Sequence, residues 1–267
     1  MLAIAVLALA AFFVVELRGA EPLVDLRHFA NRTIGIGIAI SAIVGVGLFS
    51  ITAFLPTYFQ MAYRTSATVS GLVPIATVFG MLVSNLGTGW LASHTGHYRL
   101  FPIVGTALGA AGLATMAVLP VGLPLWVPMA VMAVVGLGTG AFMSLIVAVV
   151  QSAAPAGQTG AVTSTVNLVR QIGSTLATAA IGGVIAVGVA ALLPAGLDAA
   201  TLTPQVVHAA DSGLQQRIAQ IYRDVFAPVF GFLALTYLIG VFASILMPRG
   251  RLSDSSDVVP AAESITA

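Results

Sequence analysis

The sequence predicts an all-α transmembrane protein, and composition is the first reason. Hydrophobic residues make up 58% of the 267 residues and charged residues only 7%, against about 25% charged residues in a soluble domain. Long apolar runs recur along the chain, without the alternating pattern of a transmembrane barrel. Because only helices and closed barrels satisfy their backbone hydrogen bonds in lipid, we expect these runs to be transmembrane helices.

Composition also argues against several functions. The chain has no cysteine, so it forms no disulfide and no thiolate metal site. Its net charge of +1 offers no basic patch for nucleic acid. It contains no P-loop, no Ser–His–Asp set and no His-Glu-x-x-His motif. We therefore expect no enzymatic activity, no cofactor, no metal and no nucleic-acid partner.

The first apolar run, residues 1–15, lacks the basic residues that open a signal peptide. It is also shorter than the roughly 20 residues that cross a bilayer. We interpret it as a truncated transmembrane helix, either because the chain begins inside a larger protein or because the start codon is placed late. Residues 16–33 carry most of the charge near this end and follow as a linker.

Six further apolar segments predict one transmembrane bundle over residues 34–247. These spans cover about residues 34–60, 69–92, 100–119, 126–150, 167–193 and 225–247. A polar loop is predicted at 194–224, in which Leu214, Ile218 and Ile221 have the spacing of a short amphipathic helix. The tail 248–267 is rich in Ser, Asp and Ala, and we expect it to be disordered.

The arginines favour one orientation in the membrane. Six of them fall in the loops at one end of the bundle and three in the loops at the other. Because cytoplasmic loops carry an excess of basic residues, we place the linker 16–33, the loop at 94–99 and the C-terminus in the cytoplasm. The loop 194–224 is then extracytoplasmic, and the protein is a multi-pass protein of the cell inner or plasma membrane.

Small residues predict where helices approach closely. Gly105 and Gly109 form one GxxxG pair, and Gly136 and Gly140 form another. Such pairs bring helix backbones together in lipid.

Arg170 is the only charged residue that cannot be assigned to a loop. A charge at the centre of a membrane helix costs about 2.5–3.5 kcal/mol on insertion scales. At 100° per residue, polar side chains share its helix face, namely Thr163, Asn167, Arg170, Ser174 and Thr178. Either Arg170 snorkels to lipid headgroups or the stripe lines a solute pathway.

Other residues are weaker candidates for the same cavity. Gln60, Asn85 and Gln151 are strongly polar residues in or beside spans, where they bind substrate or serve as hydrogen-bond partners in helix packing. Tyr58 offers apolar contact to an amphiphilic substrate, or it packs in the core. No Asp, Glu or His lies within any predicted span, although these side chains commonly carry protons in membrane transporters.

Several local motifs occur in a recognisable order: Leu55–Gln60, Ser70–Pro74, Gly89–Arg99, Val150–Pro155 and Val169–Gly173. Together they resemble the C-terminal half of the major facilitator superfamily, and more closely its fourteen-helix drug:proton antiporters. The resemblance runs from Met1 to about Met247. It implies a C-terminal six-helix bundle preceded by one extra helix, which residues 1–15 would supply only in part.

The loop at Gly89–Arg99 is similar to the family's cytoplasmic signature. Gly89, Gly96 and Arg99 match it, whereas Ser93 and His94 stand where Asp and Arg are expected. In the family the acidic residue latches one conformation. Since Ser93 carries no charge, the resemblance implies a weak latch here.

The resemblance implies part of a secondary active transporter for multidrug or hydrophobic-compound efflux by proton antiport. Its partners would be a small hydrophobic or amphiphilic substrate, protons, the lipid bilayer and a missing N-terminal half. That half would hold the proton-coupling residues, so the chain alone would be inactive. Arg170 would lie near the cytoplasmic end of a helix that faces the other half, which favours the cavity interpretation. Two alternatives remain: an importer of a small metabolite, or a non-transporting half-protein that assembles with a separate N-terminal half.

Overall fold

The computed structural model describes residues 31–96, 98–155, 157–194, 197 and 201–248. All regular secondary structure in this part of the chain is helical, which confirms the all-α prediction. The helices are α1 (Arg32–Thr52), α2 (Leu55–Ala62), α3 (Ala67–Thr95), α4 (Leu100–Val118), α5 (Trp126–Ser152), α6 (Thr159–Leu192), α7 (Pro204–Ala209) and α8 (Ser212–Ile245). All except α2 and α7 are long and apolar enough to cross a membrane. The predicted helix at 1–15, nearly all of the linker 16–33 and the tail after Pro248 lie outside the described residues.

The prediction of one helix over residues 34–60 is wrong, because α1 ends at Thr52 and α2 begins at Leu55. The break has a local cause in Pro56, at the start of α2. Proline lacks a backbone N–H and its ring clashes with the carbonyl of the residue four positions earlier, here Thr52. Within α1, Gly45–Phe49 forms a π-helical turn, a distortion that often occurs at functional sites.

The two longest helices extend beyond the predicted membrane spans. α6 starts at Thr159, before the span predicted from about residue 167, and α8 starts at Ser212 and includes Leu214, Ile218 and Ile221, where a short amphipathic helix was predicted in the loop 194–224. The predicted spans left out these first turns because they are polar. The α8 start is fixed by Asp211, whose carboxylate accepts two backbone N–H groups of the first turn at 3.1 and 3.3 Å.

Helices α1 and α5 form the centre of the bundle. α5 packs on α3 and α4, α1 packs on α5, α6 and α8, and α4 joins α5 to α8. In their most apolar stretches, 71% of α1 and 61% of α5 is buried, against 22% of α3 and 17% of α6. α3 and α6 therefore flank the centre and leave broad faces open.

Glycines allow α3 to lie directly on α5. A β-carbon on Gly136 would lie 2.8 Å from the carbonyl carbon of Thr77, and one on Gly140 would lie 2.6 Å from the Cα of Met81. Ordinary carbon–carbon contacts are about 3.5–4.0 Å. The two backbones could not approach this closely with larger residues.

A second close contact joins α4, α5 and α8. A β-carbon on Gly105 would lie 3.1 Å from the Cβ of Ala141, and Gly109 packs against the ring of Tyr237. That ring is fully buried, and its hydroxyl lies 2.7 Å from Thr139 Oγ1 on α5. The hydrogen bond gives this core contact a fixed geometry.

Candidate functional site

Arg170 lies in a shallow crevice where α1, α5 and α6 meet. The crevice is lined by Ile40, Ser41, Val44, Phe142, Met143, Ile146 and Arg170. Arg170 is half-buried, and apart from its guanidinium and the Ser41 hydroxyl the lining is apolar. The crevice has no enclosed space wide enough for a water molecule, whereas pockets for drug-sized ligands enclose about 300–1,000 Å³. The crevice alone therefore encloses no ligand.

Close backbone packing fixes the position of Arg170 against α1. A β-carbon on Gly45, in the π-helical turn, would lie 3.0 Å from the Arg170 carbonyl carbon and 3.2 Å from its Cα. One turn of α6 further on, a β-carbon on Gly173 would lie 3.3 Å from the carbonyl oxygen of Ala42. Both contacts hold this part of α6 against the middle of α1.

The position of Arg170 along α6 follows from helix geometry. Arg170 is 11 residues from the start of α6, and its neighbour Gly45 is 13 residues from the start of α1. At 1.5 Å per residue these distances are about 16 and 20 Å. Arg170 is therefore well inside its helix, and its guanidinium donates a hydrogen bond to Asn167 Oδ1, one turn earlier.

The predicted polar stripe of α6 lies along one edge of the helix. Asn167, Arg170, Ser174 and Thr178 are all half-buried, as is Thr163. The side chain of Gln151 on α5 donates from Nε2 to Thr163 Oγ1 at 3.0 Å. The stripe is therefore linked by a hydrogen bond to the neighbouring central helix.

A second polar contact lies across α5. Ser144 Oγ donates to Asn85 Oδ1 of α3 at 3.2 Å. Ser144 and Gln151 are two turns apart on the same face of α5. Polar groups from α3, α5 and α6 thus lie on the same open side of the bundle. The sequence analysis did not identify Ser144, because a lone serine forms no recognisable pattern.

The structure does not bring every candidate to the crevice. Tyr58 is 1% exposed and packs on α8, with its ring centroid 4.8 Å from that of Phe226 and 5.5 Å from that of Phe230. Gln60, half-buried on α2, is not among the residues that line the crevice. Tyr58 therefore occupies an aromatic core contact between α2 and α8.

The signature loop contacts the end of the last helix. Gly96 has a left-handed conformation, with φ of 66°, and ends α3. The Arg99 guanidinium donates to the carbonyl of Ile245, and Tyr98 donates to the carbonyl of Pro248 at 3.3 Å. Basic side chains stabilise helix C-termini by binding their last carbonyl groups. Arg99 thus joins the α3–α4 loop to α8, a contact that the sequence pattern did not reveal.

The remaining signature positions bond within α3. Ser93 Oγ donates to the carbonyl of Trp90 at 2.8 Å, and the His94 ring lies 4.5 Å from the Trp90 ring. Gly89 has no atom of another element within 4 Å of the position a β-carbon would take. No group of three His, Asp or Glu side chains that could hold a metal occurs among the described residues.

The fold and this open polar side define a multi-pass α-helical membrane protein. The sequence profile of the Major Facilitator Superfamily matches residues 1–178, two thirds of the chain, and the chain belongs to this superfamily.

Relatives in the superfamily include proteins named for drug resistance. The chain is 27% identical over 95% of its length to an uncharacterized MFS-type transporter of Mycobacterium tuberculosis, of which the match covers 38%. It is 31% identical over 62% of its length to a tetracycline resistance determinant of Streptomyces rimosus, of which 48% is covered. It is 27% identical over 68% of its length to a multidrug transporter protein of Bacillus subtilis, of which 34% is covered. The chain thus spans less than half the length of these relatives.

Proposed function

We propose that the six long helices form one wall of the solute pathway in a secondary transporter that exports hydrophobic or amphiphilic compounds. The observation that carries the proposal is Arg170, which is half-buried, lines a crevice between the two central helices and α6 and donates a hydrogen bond to Asn167. Ionisable residues at membrane depth mark substrate and ion pathways. The relatives named for multidrug transport and tetracycline resistance support export as the direction.

The shallowness of the crevice supports a pathway with a second wall. Because the crevice encloses no space by itself, further protein opposite α3, α5 and α6 would be needed to enclose a substrate. Major facilitator substrates bind between two halves that move around a central site. We propose that further helices, in the same polypeptide or a separate one, supply that wall, and that the 267 residues alone do not transport.

Proton exchange is the proposed driving reaction, with the proton-carrying groups on the opposite wall. Three residues of proton-carrying types predicted in loops lie in helices of the described part of the chain: His94 in the last turn of α3, His208 in the short helix α7 and Asp224 in α8. Asp224 is 3.0 Å from Arg223, and its side chain is 56% exposed. Because Asp224 is paired and lies near the start of the apolar part of α8, we assign it no coupling role, and Asp224→Asn should leave proton coupling unchanged.

The orientation proposed from the arginines places the α3–α4 loop and the C-terminus in the cytoplasm of a cell membrane. The Arg99 contact with the end of α8 fits this orientation, because it puts both segments at the same end of the bundle.

Drug efflux from cells tests the proposal. The chain is expressed alone and together with the N-terminal half of the Bacillus subtilis relative, and export of a fluorescent amphiphile is followed under an imposed pH gradient. We expect export only from the pair, and we expect Arg170→Ala to impair it while membrane insertion stays intact. Arg217→Ala, which removes an exposed arginine from the first turns of α8, is the matched control.

Two outcomes would contradict the proposal. Proton-coupled export by the 267 residues alone would show that no second wall is required. Unchanged export by Arg170→Ala, in a variant inserted at the normal level, would return Arg170 to a role at the lipid headgroups.

A further inference from the structure

The open side of the bundle has an unbalanced charge. Across α1, α3, α4, α5 and α6 the charged side chains are Arg170 and, at the first residue of α1, Arg32. Within the described residues the one ion pair joins Arg223 to Asp224 on α8. Arg170 therefore has no carboxylate within ion-pair distance in this part of the chain.

The immediate surroundings of Arg170 are neutral. Asn167 accepts one hydrogen bond from the guanidinium, which has five N–H donors. The crevice that Arg170 lines is otherwise formed by Ser41 and five apolar residues: Ile40, Val44, Phe142, Met143 and Ile146. A planar cation in a crevice lined mainly by aliphatic and aromatic residues is complementary to an amphiphile that carries one anionic group.

We propose that this wall selects acidic amphiphiles over cationic ones, with Arg170 as the residue that binds the anionic group. A guanidinium binds carboxylate, sulfonate and phosphate oxygens through paired N–H groups. A lipophilic cation at the same position is repelled, and no acidic side chain of the wall offsets that repulsion. The inference rests on the proposed function, because it assigns a substrate class to the same site.

Two ions of matched shape separate charge from hydrophobicity. Tetraphenylborate and tetraphenylphosphonium have nearly the same size and opposite charges. Their binding to the two halves, purified together in detergent micelles, is measured by equilibrium dialysis, with protein-free micelles as the blank. We expect tetraphenylborate to bind at least about tenfold more tightly, a difference that corresponds to about 1.4 kcal/mol.

Three variants locate the preference. Arg170→Gln should bring the two affinities within about twofold of each other, whereas Arg170→Lys, which retains the charge, should keep the preference for the anion. Arg217→Gln removes the same charge from an exposed site on α8 and should bind both ions like the unchanged protein. Circular dichroism of each variant shows whether it is folded.

Equal binding of the two ions, absence of binding by either, or an unchanged preference in Arg170→Gln would overturn the inference. The efflux assay keeps this result separate from the proposed function. If the paired halves export tetraphenylphosphonium as fast as an acidic amphiphile, transport stands and the charge selection fails. If the paired halves export nothing while Arg170 still governs anion binding, the transport proposal fails instead.

Discussion

The contact between Gly45 and α6 gives the sharpest structural prediction. In Gly45→Ala the new methyl carbon would lie 3.0 Å from the Arg170 carbonyl carbon, against about 3.5–4.0 Å for an ordinary contact. The Arg170 carbonyl oxygen would be closer still. α6 would have to move away by about 1 Å, because these are backbone atoms that cannot rotate aside. Overpacking of this kind costs about 1–3 kcal/mol, partly offset by up to about 1 kcal/mol from the better helix propensity of alanine. We expect a net loss of roughly 1–2 kcal/mol, measured as a lower midpoint of thermal unfolding in detergent.

Gly183→Ala is the matched control for this substitution. Gly183 lies on α6 and has no atom within 4 Å of the position that a β-carbon would take. Its replacement should leave the unfolding midpoint unchanged or raise it slightly, because only helix propensity changes. If Gly45→Ala were as stable as Gly183→Ala, α6 would not be packed on α1 through this glycine, and the placement of Arg170 would lose its support.

Two further substitutions test contacts with α8. Tyr237→Phe removes the hydroxyl that lies 2.7 Å from Thr139 in the core, and it should lower the unfolding free energy by about 1 kcal/mol, measured by thermal unfolding in detergent. Arg99→Gln removes the guanidinium from the carbonyl of Ile245 at the end of α8. It should cost about 0.3–1 kcal/mol and raise hydrogen exchange of the last turn of α8, measured by mass spectrometry.

Each of these expectations has a contradicting outcome. A Tyr237→Phe variant as stable as the unchanged protein would mean that the hydroxyl contributes nothing beyond ring packing. If the last turn of α8 exchanged hydrogen at the same rate in Arg99→Gln as in the unchanged protein, the Arg99 contact would not stabilise the end of that helix.

The apolar pattern was sufficient to predict the six long helices, because each contains a stretch that can cross a membrane. It could not place the starts of α6 and α8, whose first turns are polar. Asp211 caps the start of α8, whereas no side chain caps the start of α6. The apolar pattern also treated residues 34–60 as one helix. The effect of Pro56 on the carbonyl of Thr52 is a local backbone clash that hydrophobicity does not report.

The candidate site could be predicted in part for a similar reason. Helical spacing placed Asn167 and Arg170 on one face, and the structure joins them by a hydrogen bond. The sequence left Tyr58 open between apolar contact to a substrate and packing in the core, and the structure places it in the core against α8, which is distant in sequence. Such a contact depends on tertiary packing, which spacing within a single segment does not encode. The hydrogen bond between Ser144 and Asn85 also joins two helices and depends on tertiary packing.

Labelling of single cysteines tests most directly whether the α6 stripe lines a solute pathway. The chain has no cysteine, so Ser174→Cys and Phe242→Cys each introduce one thiol. Phe242 is 68% exposed on α8 and should face lipid. In membranes that hold the paired halves, we expect a membrane-impermeant maleimide to label Ser174→Cys and to leave Phe242→Cys unlabelled. Labelling of Ser174→Cys should be slower when tetraphenylborate is present. Both should react after unfolding in SDS. A Ser174→Cys variant that reacts only after unfolding, or no faster than Phe242→Cys, would contradict a pathway along this face.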